Sequence, residues 1–310
     1  MTSIDPLKIG TRGSPLAMAQ AYEVRDLLIK HHPDLAEPGA IEIVEISTTG
    51  DQVQDRALSE VGGKGLFSKE IDAAQLHGRI DLAVHSMKDL ETHLVAGIGL
   101  TATLEREDVR DVLITNNAAS FDQLPSGANV GTSSLRRQAQ ILHRRPDLSV
   151  SLFRGNVQTR LRKLAEGEAD ATLLALAGLN RLGKSDVVTE IMEPHVMLPA
   201  VAQGAIGITC RQGDENTSAY VRNLNHAATM VRVSTERALL EALDGSCRTP
   251  VGGLAEYQAD GSLRLRALVA KADGSELFET ERWGPATDGI RMGQDAGQEL
   301  KGRAGPDIFS

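Results

Sequence analysis

A chain of 310 residues with 33 Lys plus Arg against 42 Asp plus Glu carries a formal charge of −9, which argues against a surface built to grip nucleic acid throughout. Its 41% hydrophobic and 24% charged residues make an ordinary globular mixture, neither disordered nor fibrous, and long enough for two or three domains at about 150 residues each. One Trp, three Tyr and five Phe are too few for a ladder of rings stacking on bases, so binding must lean on charge and backbone. Two cysteines cannot form a disulfide scaffold, and no zinc spacing appears, so a reducing cytoplasm and no metal are expected. The start, MTSIDPLKIG, lacks a secretory pattern. Apolar runs such as Ala171 to Leu179 fall far short of the roughly 20 residues that cross a bilayer, so no membrane partner is expected.

To about residue 200, short β-branched runs alternate with longer helical patterns, the rhythm of βαβ units. Leu7 to Ile9 reads as a strand, then TRGS, then a helix from Pro15 to about Lys30 with Ser14 as cap and Pro15 in the first turn. Ile41 to Ile46 alternates like a strand, Lys69 to His77 follows Ser68 as a helix, and Asp81 to His85 is a strand running into HSMKD. The plan then repeats: a strand near Asn129 and Val130, GTSS and the helix LRRQAQIL; a strand at Val150 to Phe153, RGN and the helix VQTRLRKLAEG; then the apolar strand ATLLAL. Open α/β sheets bind ligands beyond the carboxyl ends of their strands, so the junctions TRGS, HSMKD, GTSSLRR, FRGN and AGLNR are expected to converge on one cleft. Segments 105–111 and 198–204 are the expected crossovers between two lobes. From about residue 227 the character changes to one helix (STERALLEAL), a Gly-rich turn around Cys247 and alternating strands such as SLRLRALVA, a separate α+β domain. The last twenty residues are Gly-rich and weakly patterned.

Between Thr132 and Lys163 stand Arg136, Arg137, Arg144, Arg145, Arg154, Arg160, Arg162 and one lysine, against the single acid Asp147, a +7 island. For Arg144, Arg145 and Arg162 solvated helix faces are the simpler reading. GTSS offers hydroxyls and free N–H groups at a helix start, where anions seat. Arg136 and Arg137 follow with planar forks suited to carboxylate or phosphate. A ligand with several anionic groups is implied. GGKG around Lys64 lacks the full phosphate-loop pattern; Lys64 either lends charge or sits in a simple turn. No G-x-S-x-G elbow surrounds Ser86, which disfavours serine hydrolysis. Asp89, near Lys88, is placed to stabilise a developing cation, with a helix cap or an ion pair to Lys88 as the equal alternative. Cys247, in an irregular turn beside Arg248, reads as a reactive thiol, whereas Cys210 in GAIGITCR reads as a buried small hydrophobe.

The segments TRGSPLAMAQ, GGKGLFSKE, DLAVHSMKDLE, EREDVRDVLI, GTSSLRRQAQIL, FRGNVQTRLRKL, LALAGLNRLG, LPAVAQGAIGI and GSCRTPVGG, in this order, resemble the porphobilinogen deaminase (hydroxymethylbilane synthase) family almost end to end. The resemblance implies an α/β fold of two periplasmic-binding-protein-like lobes (type II) with a third small α+β domain. The expected boundaries are 1–104 plus 200–222 for the first, 105–199 for the second and 223–310 for the third. It further implies a cytoplasmic monomeric transferase of haem and tetrapyrrole synthesis that condenses four porphobilinogens, with loss of ammonia, on a dipyrromethane cofactor linked as a thioether through Cys247. Asp89 matches the catalytic aspartate. Lys88, Ser133, Ser134, Arg136 and Arg137 match cofactor-binding positions; Arg12, Ser14, Gln20, Lys64, Arg154, Arg160 and Arg181 match substrate-binding ones. Two departures stand out: Thr49, where many relatives carry Lys or Arg, removes a charge, and Leu90-Glu91, in place of Val-Pro, is expected to loosen or reroute a loop. The rival classes are a two-lobed anion receptor, which needs no reactive thiol, and a basic-patch nucleic-acid binder, whose retention on DNA would depend steeply on salt.

Overall fold

The computed structural model describes residues 5–52, 65–245, 249–305 and 308. In chain order these form β1 (Leu7–Thr11), α1 (Pro15–His31), β2 (Ile41–Glu45), α2 (Thr49–Gln52), α3 (Lys69–Leu76), β3 (Leu82–Ser86), β4 (Ile98–Thr103), β5 (Asp111–Thr115), β6 (Asn129–Gly131) and α4 (Leu135–Arg144). There follow β7 (Ser149–Ser151), α5 (Val157–Ala165), β8 (Ala171–Ala175), α6 (Leu176–Arg181), β9 (Glu190–Met192), β10 (Ile206–Arg211), α7 (Glu215–Arg222), α8 (Ala227–Ala242), β11 (Val251–Tyr257), β12 (Ser262–Ala270), β13 (Leu277–Pro285) and α9 (Gly289–Ala304). The chain falls into two compact units. One comprises the chain to Val53, Gly62–Arg106 and Ala205–Met230; the other is built chiefly from Glu107–Gly204 and Val231–Ser310.

The first unit holds a five-stranded sheet in the order β2-β1-β3-β10-β4. β1, β2 and β3 run parallel, while β10 lies antiparallel between β3 and β4. Helix α1 starts as the sequence predicts: Ser14 Oγ accepts from the Ala17 N–H at 3.2 Å, and Pro15 needs no partner for a missing donor. Its Ala21, Val24 and Leu28 are fully buried in a core with Ile9, Leu82, Val84, Ile206 and Ile208. That apolar stripe, more than intrinsic propensity, holds the helix to the sheet.

The second unit repeats the plan. Its five-stranded sheet runs β7-β6-β8-β5-β9, with β6, β7 and β8 parallel and β5 antiparallel between β8 and β9. In both sheets, therefore, a parallel trio with its earliest strand in the middle is extended by one reversed strand and a last edge strand. β5 is buried along its length, Leu113 toward one core and Val112 and Ile114 toward the other. Such continuous apolar runs are what a strand covered on both faces requires.

The second unit also holds the antiparallel sheet β11-β12-β13, with α9 packed on β12 and β13 and α8 meeting β11 through Glu236 and Leu239. The weakly patterned C-terminus proves to be the 16-residue helix α9. Its glycines form the packing face: a Cβ on Gly293 would stand 2.2 Å from the Thr235 carbonyl oxygen, and one on Gly297 would stand 2.6 Å from Ala242 Cβ, so α9 lies on α8 backbone to backbone. Here glycine's lack of a side chain outweighs its poor helix propensity. Glu236 of α8, fully buried, accepts from the Ala202 N–H at 2.6 Å and the Ala255 N–H at 2.8 Å. Ala202 has φ of 59°, a left-handed conformation costly for alanine, and this carboxyl is one of the contacts that hold it.

Candidate functional site

In the first unit a cavity is lined by Arg12, Gln20, Phe67, His85, Ser86 and Asp89. Strand β1 delivers Arg12, α1 delivers Gln20, and β3 delivers His85 and Ser86 before a single 3-10 turn, Met87–Asp89, presents Asp89. Arg12 is held on three sides: its Nε donates to Asp51 Oδ2 at 3.2 Å, its Nη2 bonds Asp51 Oδ1, and its guanidinium carbon lies 4.2 Å from the Phe67 ring centroid. Burial pushes the Asp51 carboxyl up, but Arg12 and Thr48 outweigh that and hold it below the usual range. Asp89 itself is met only by Arg12 Nη1, at 3.9 Å, and no hydrogen bond reaches its carboxylate from the described residues. Its side chain is 35% exposed. Gln20 and Ser86 hydrogen-bond each other at 2.9 and 3.0 Å. His85, singled out in the sequence only as a neighbour, is buried with Nε2 3.1 Å from Thr209 Oγ1, which in turn donates to Gln75 Oε1.

Neither departure opens this region. Thr49 donates its hydroxyl to Glu70 Oε1 at 2.5 Å. The Leu90-Glu91 loop is anchored instead of loosened, because Leu90 is buried and Glu91 Oε1 accepts the Gly65 N–H at 2.7 Å. Ser14 is engaged in capping α1.

In the second unit the arginine island is largely compensated by acids from outside its own stretch of sequence. Arg144 pairs with Asp122, Arg162 with Glu166 and Lys163 with Glu168, while Arg145 takes Asp147. Arg136 and Arg137 are each only 5% exposed and share Asp111 at the start of β5: Arg136 Nη2 to Oδ2 and Arg137 Nη2 to Oδ1, both 2.7 Å. Their Nη1 groups donate to the carbonyls of Leu198 and Leu173, also at 2.7 Å. They are thus buried, oriented cations, not the open forks the sequence suggests. The Asp111 carboxyl is raised by burial and lowered further by the two arginines, ending well below the ordinary range. Nε of Arg136, Nε of Arg137 and Oγ of Ser133 are buried and have no hydrogen-bond partner among the described residues. Ser134 caps α4, accepting from the Arg137 N–H at 3.4 Å.

Arg154, buried, precedes Gly155, whose φ of 119° turns the chain from β7 into α5; there Asn156 accepts from the Thr159 N–H at 2.9 Å. Arg160 Nε donates to the Gly155 carbonyl at 3.0 Å, and Arg181, ending α6, reaches the Gly204 carbonyl at 3.3 Å. Cys210 is buried in β10, where burial pushes its thiol up to about 11, as a packing residue requires. Cys247 and Lys64 lie outside the described residues. Among the described residues no group of His, Cys, Asp and Glu could hold a metal, and no helix is long and apolar enough to cross a membrane.

Two α/β sheets of one strand order, with arginine side chains at their strand-to-helix junctions and a carboxylate lining a cavity, mark an α/β protein that binds an acidic small molecule. The comparisons make this specific. The family model described as porphobilinogen deaminase, dipyromethane cofactor binding domain, matches residues 7–219, and the porphobilinogen deaminase C-terminal domain matches residues 230–302. The chain is 55% identical to the chloroplastic porphobilinogen deaminase of Oryza sativa subsp. japonica over 98% of its length and 85% of that protein's. It is 54% identical to porphobilinogen deaminase of Nitrobacter winogradskyi, over 97% of this chain and 95% of that one. Similar solved structures include the methionine-binding protein MetQ, at TM-score 0.45 and 11% identity over 73% of this chain and 92% of that one. Another is a periplasmic substrate-binding protein from Coxiella burnetii, at TM-score 0.43 and 13% identity over 72% and 94%. The chain belongs to the porphobilinogen deaminase family. It is a transferase of tetrapyrrole synthesis, a hydroxymethylbilane synthase with a dipyrromethane cofactor, and porphobilinogen is the substrate of its family.

Dipyrromethane carries acetate and propionate groups. The Ser133 hydroxyl and the Nε–H groups of the two guanidiniums that share Asp111, all without a partner among the described residues, fit such anions.

Proposed function

We propose that Asp89 is the catalytic residue and that Cys247 carries the dipyrromethane through a thioether. The observation that carries the first assignment is a partly exposed carboxylate lining a cavity beside Arg12, Gln20 and Ser86, with no hydrogen bond to it from the described residues. A carboxylate in that condition is ready to accept pyrrole N–H donors and to stabilise positive charge as it develops on them. The cofactor, when bound, supplies the pyrrole carbon from which the chain of rings grows. Arg12 stays on Asp51 and Phe67, so its cation faces the cavity without neutralising Asp89 at hydrogen-bond range. Ser133, Ser134, Lys88, Arg136 and Arg137 hold cofactor carboxylates; Arg12, Ser14, Gln20, Lys64, Arg154, Arg160 and Arg181 serve the carboxylates of incoming rings.

The chain acts as a cytoplasmic monomer on porphobilinogen, without nucleic acid or membrane, in three domains: 1–104 plus 200–222, 105–199, and 223–310. Intact-mass measurement tests the attachment. The purified chain is expected to exceed its polypeptide mass by one two-pyrrole unit and Cys247→Ser to show the bare mass; a bare wild-type chain sinks the assignment.

A further inference from the structure

The arginine pair raises a question of charge. Arg136 and Arg137 bring two positive charges into a site where Asp111 supplies one negative charge, and all three side chains are at most 5% exposed. Sharing a carboxylate between two guanidiniums fixes more than charge. Each oxygen of Asp111 takes one Nη2, and the carbonyls of Leu198 and Leu173 take the Nη1 groups. Four short contacts therefore set both guanidinium planes, and in each plane the Nε–H is left over. Asp111 is itself steadied by Gln203, whose Nε2 donates to Oδ1 at 2.9 Å and to the Val109 carbonyl at 2.8 Å.

We propose that Asp111 is a positioning residue for the cofactor, turning Arg136 and Arg137 so that their Nε–H edges, with Ser133 Oγ, form a preset donor set for a carboxylate. The inference rests on the assignment of Arg136 and Arg137 to cofactor carboxylates. Guanidiniums this deeply buried cannot sample many orientations, so the ligand meets donors already aimed. A residue present only to offset charge would behave differently. Its removal would raise the positive charge of the site and strengthen the hold on an anion, whereas loss of a positioning residue weakens it.

Asp111→Asn separates the two, because asparagine keeps the shape, loses the charge and turns an N–H toward one guanidinium. Full-length chains are purified and their adduct-bearing fraction is read by intact mass, alongside thermal melting and steady-state kinetics per loaded chain. The expected result is a folded protein with at least fivefold fewer loaded chains and a kcat at least tenfold lower, with KM changed less than threefold. A lower melting temperature with loading and kcat unchanged, or a loaded fraction above wild type, overturns the proposal. If Asp111→Asn does not accumulate as folded protein, Gln203→Met decides. It removes the donor that steadies Asp111 together with its bond to the Val109 carbonyl and leaves the charge of Asp111 in place, and a loss of loading of twofold or more supports the proposal while unchanged loading overturns it. A wild-type chain bearing no adduct would instead defeat the cofactor attachment, a separate outcome.

Discussion

At Asp89 the carboxylate is 35% exposed and its one arginine stands 3.9 Å away; at Asp111 the carboxylate is fully buried and two guanidiniums touch it at 2.7 Å. Both are aspartates beside arginine, yet burial and contact give them opposite work. A buried pair with every oxygen engaged fixes geometry and has nothing left to offer a reacting group. A loosely met carboxylate in a polar cavity holds no geometry but keeps its lone pairs for a donor that arrives.

The sharpest way to break this contrast is Asp89→Asn. Loss of a preorganised charge at the reacting centre should lower kcat about 10²- to 10³-fold with little change in melting temperature. A variant that keeps its turnover removes Asp89 from the chemistry. Arg137→Ala tests the other side: truncating one partner of a buried ion pair typically costs about 3–5 kcal/mol, read from denaturant unfolding. A cost below about 1 kcal/mol would mean that the trio is wet and mobile. Asp51→Ala supplies the middle case, since the Arg12–Asp51 pair is 22% and 28% exposed and should contribute about 1 kcal/mol or less. The smallest effect is its acid dependence. Because the folded Asp51 carboxyl is held below its unfolded value of 3.8, its stabilisation is complete above that pH and fades as pH falls through the lowered value. The difference in unfolding midpoint between wild type and Asp51→Asn should therefore hold at pH 6 and shrink below pH 3.8.

What could be read from residues alone divides along range. The starts of α1, α4 and α5 were legible because their caps are local: Ser14, Ser134 and Asn156 each bond an N–H three residues ahead. Asp89 stood out because the polar run HSMKD directly follows an apolar strand pattern, which is also a local signal. The state of Arg136 and Arg137 was hidden, because their partner Asp111 lies 25 and 26 residues back and reaches them only when β5 enters its sheet. Counting charge within one stretch of sequence therefore overstated what is open to a ligand. Helix α9 was missed because glycine signals turns by default, though Gly289, Gly293 and Gly297, spaced by four, mark one close-packed face. The network of His85, Thr209 and Gln75 gave no sequence signal, since Thr209 is more than 120 residues from both others.

Glu236 carries a consequence for how the molecule is made. The backbone it holds at Ala202 leaves the ribosome 34 residues before the carboxyl that anchors it, and the third member, Ala255, emerges 19 residues later still. A nascent chain that stops short of Glu236 lacks this anchor for its left-handed alanine, so truncations from the C-terminal end should damage a turn that they never touch.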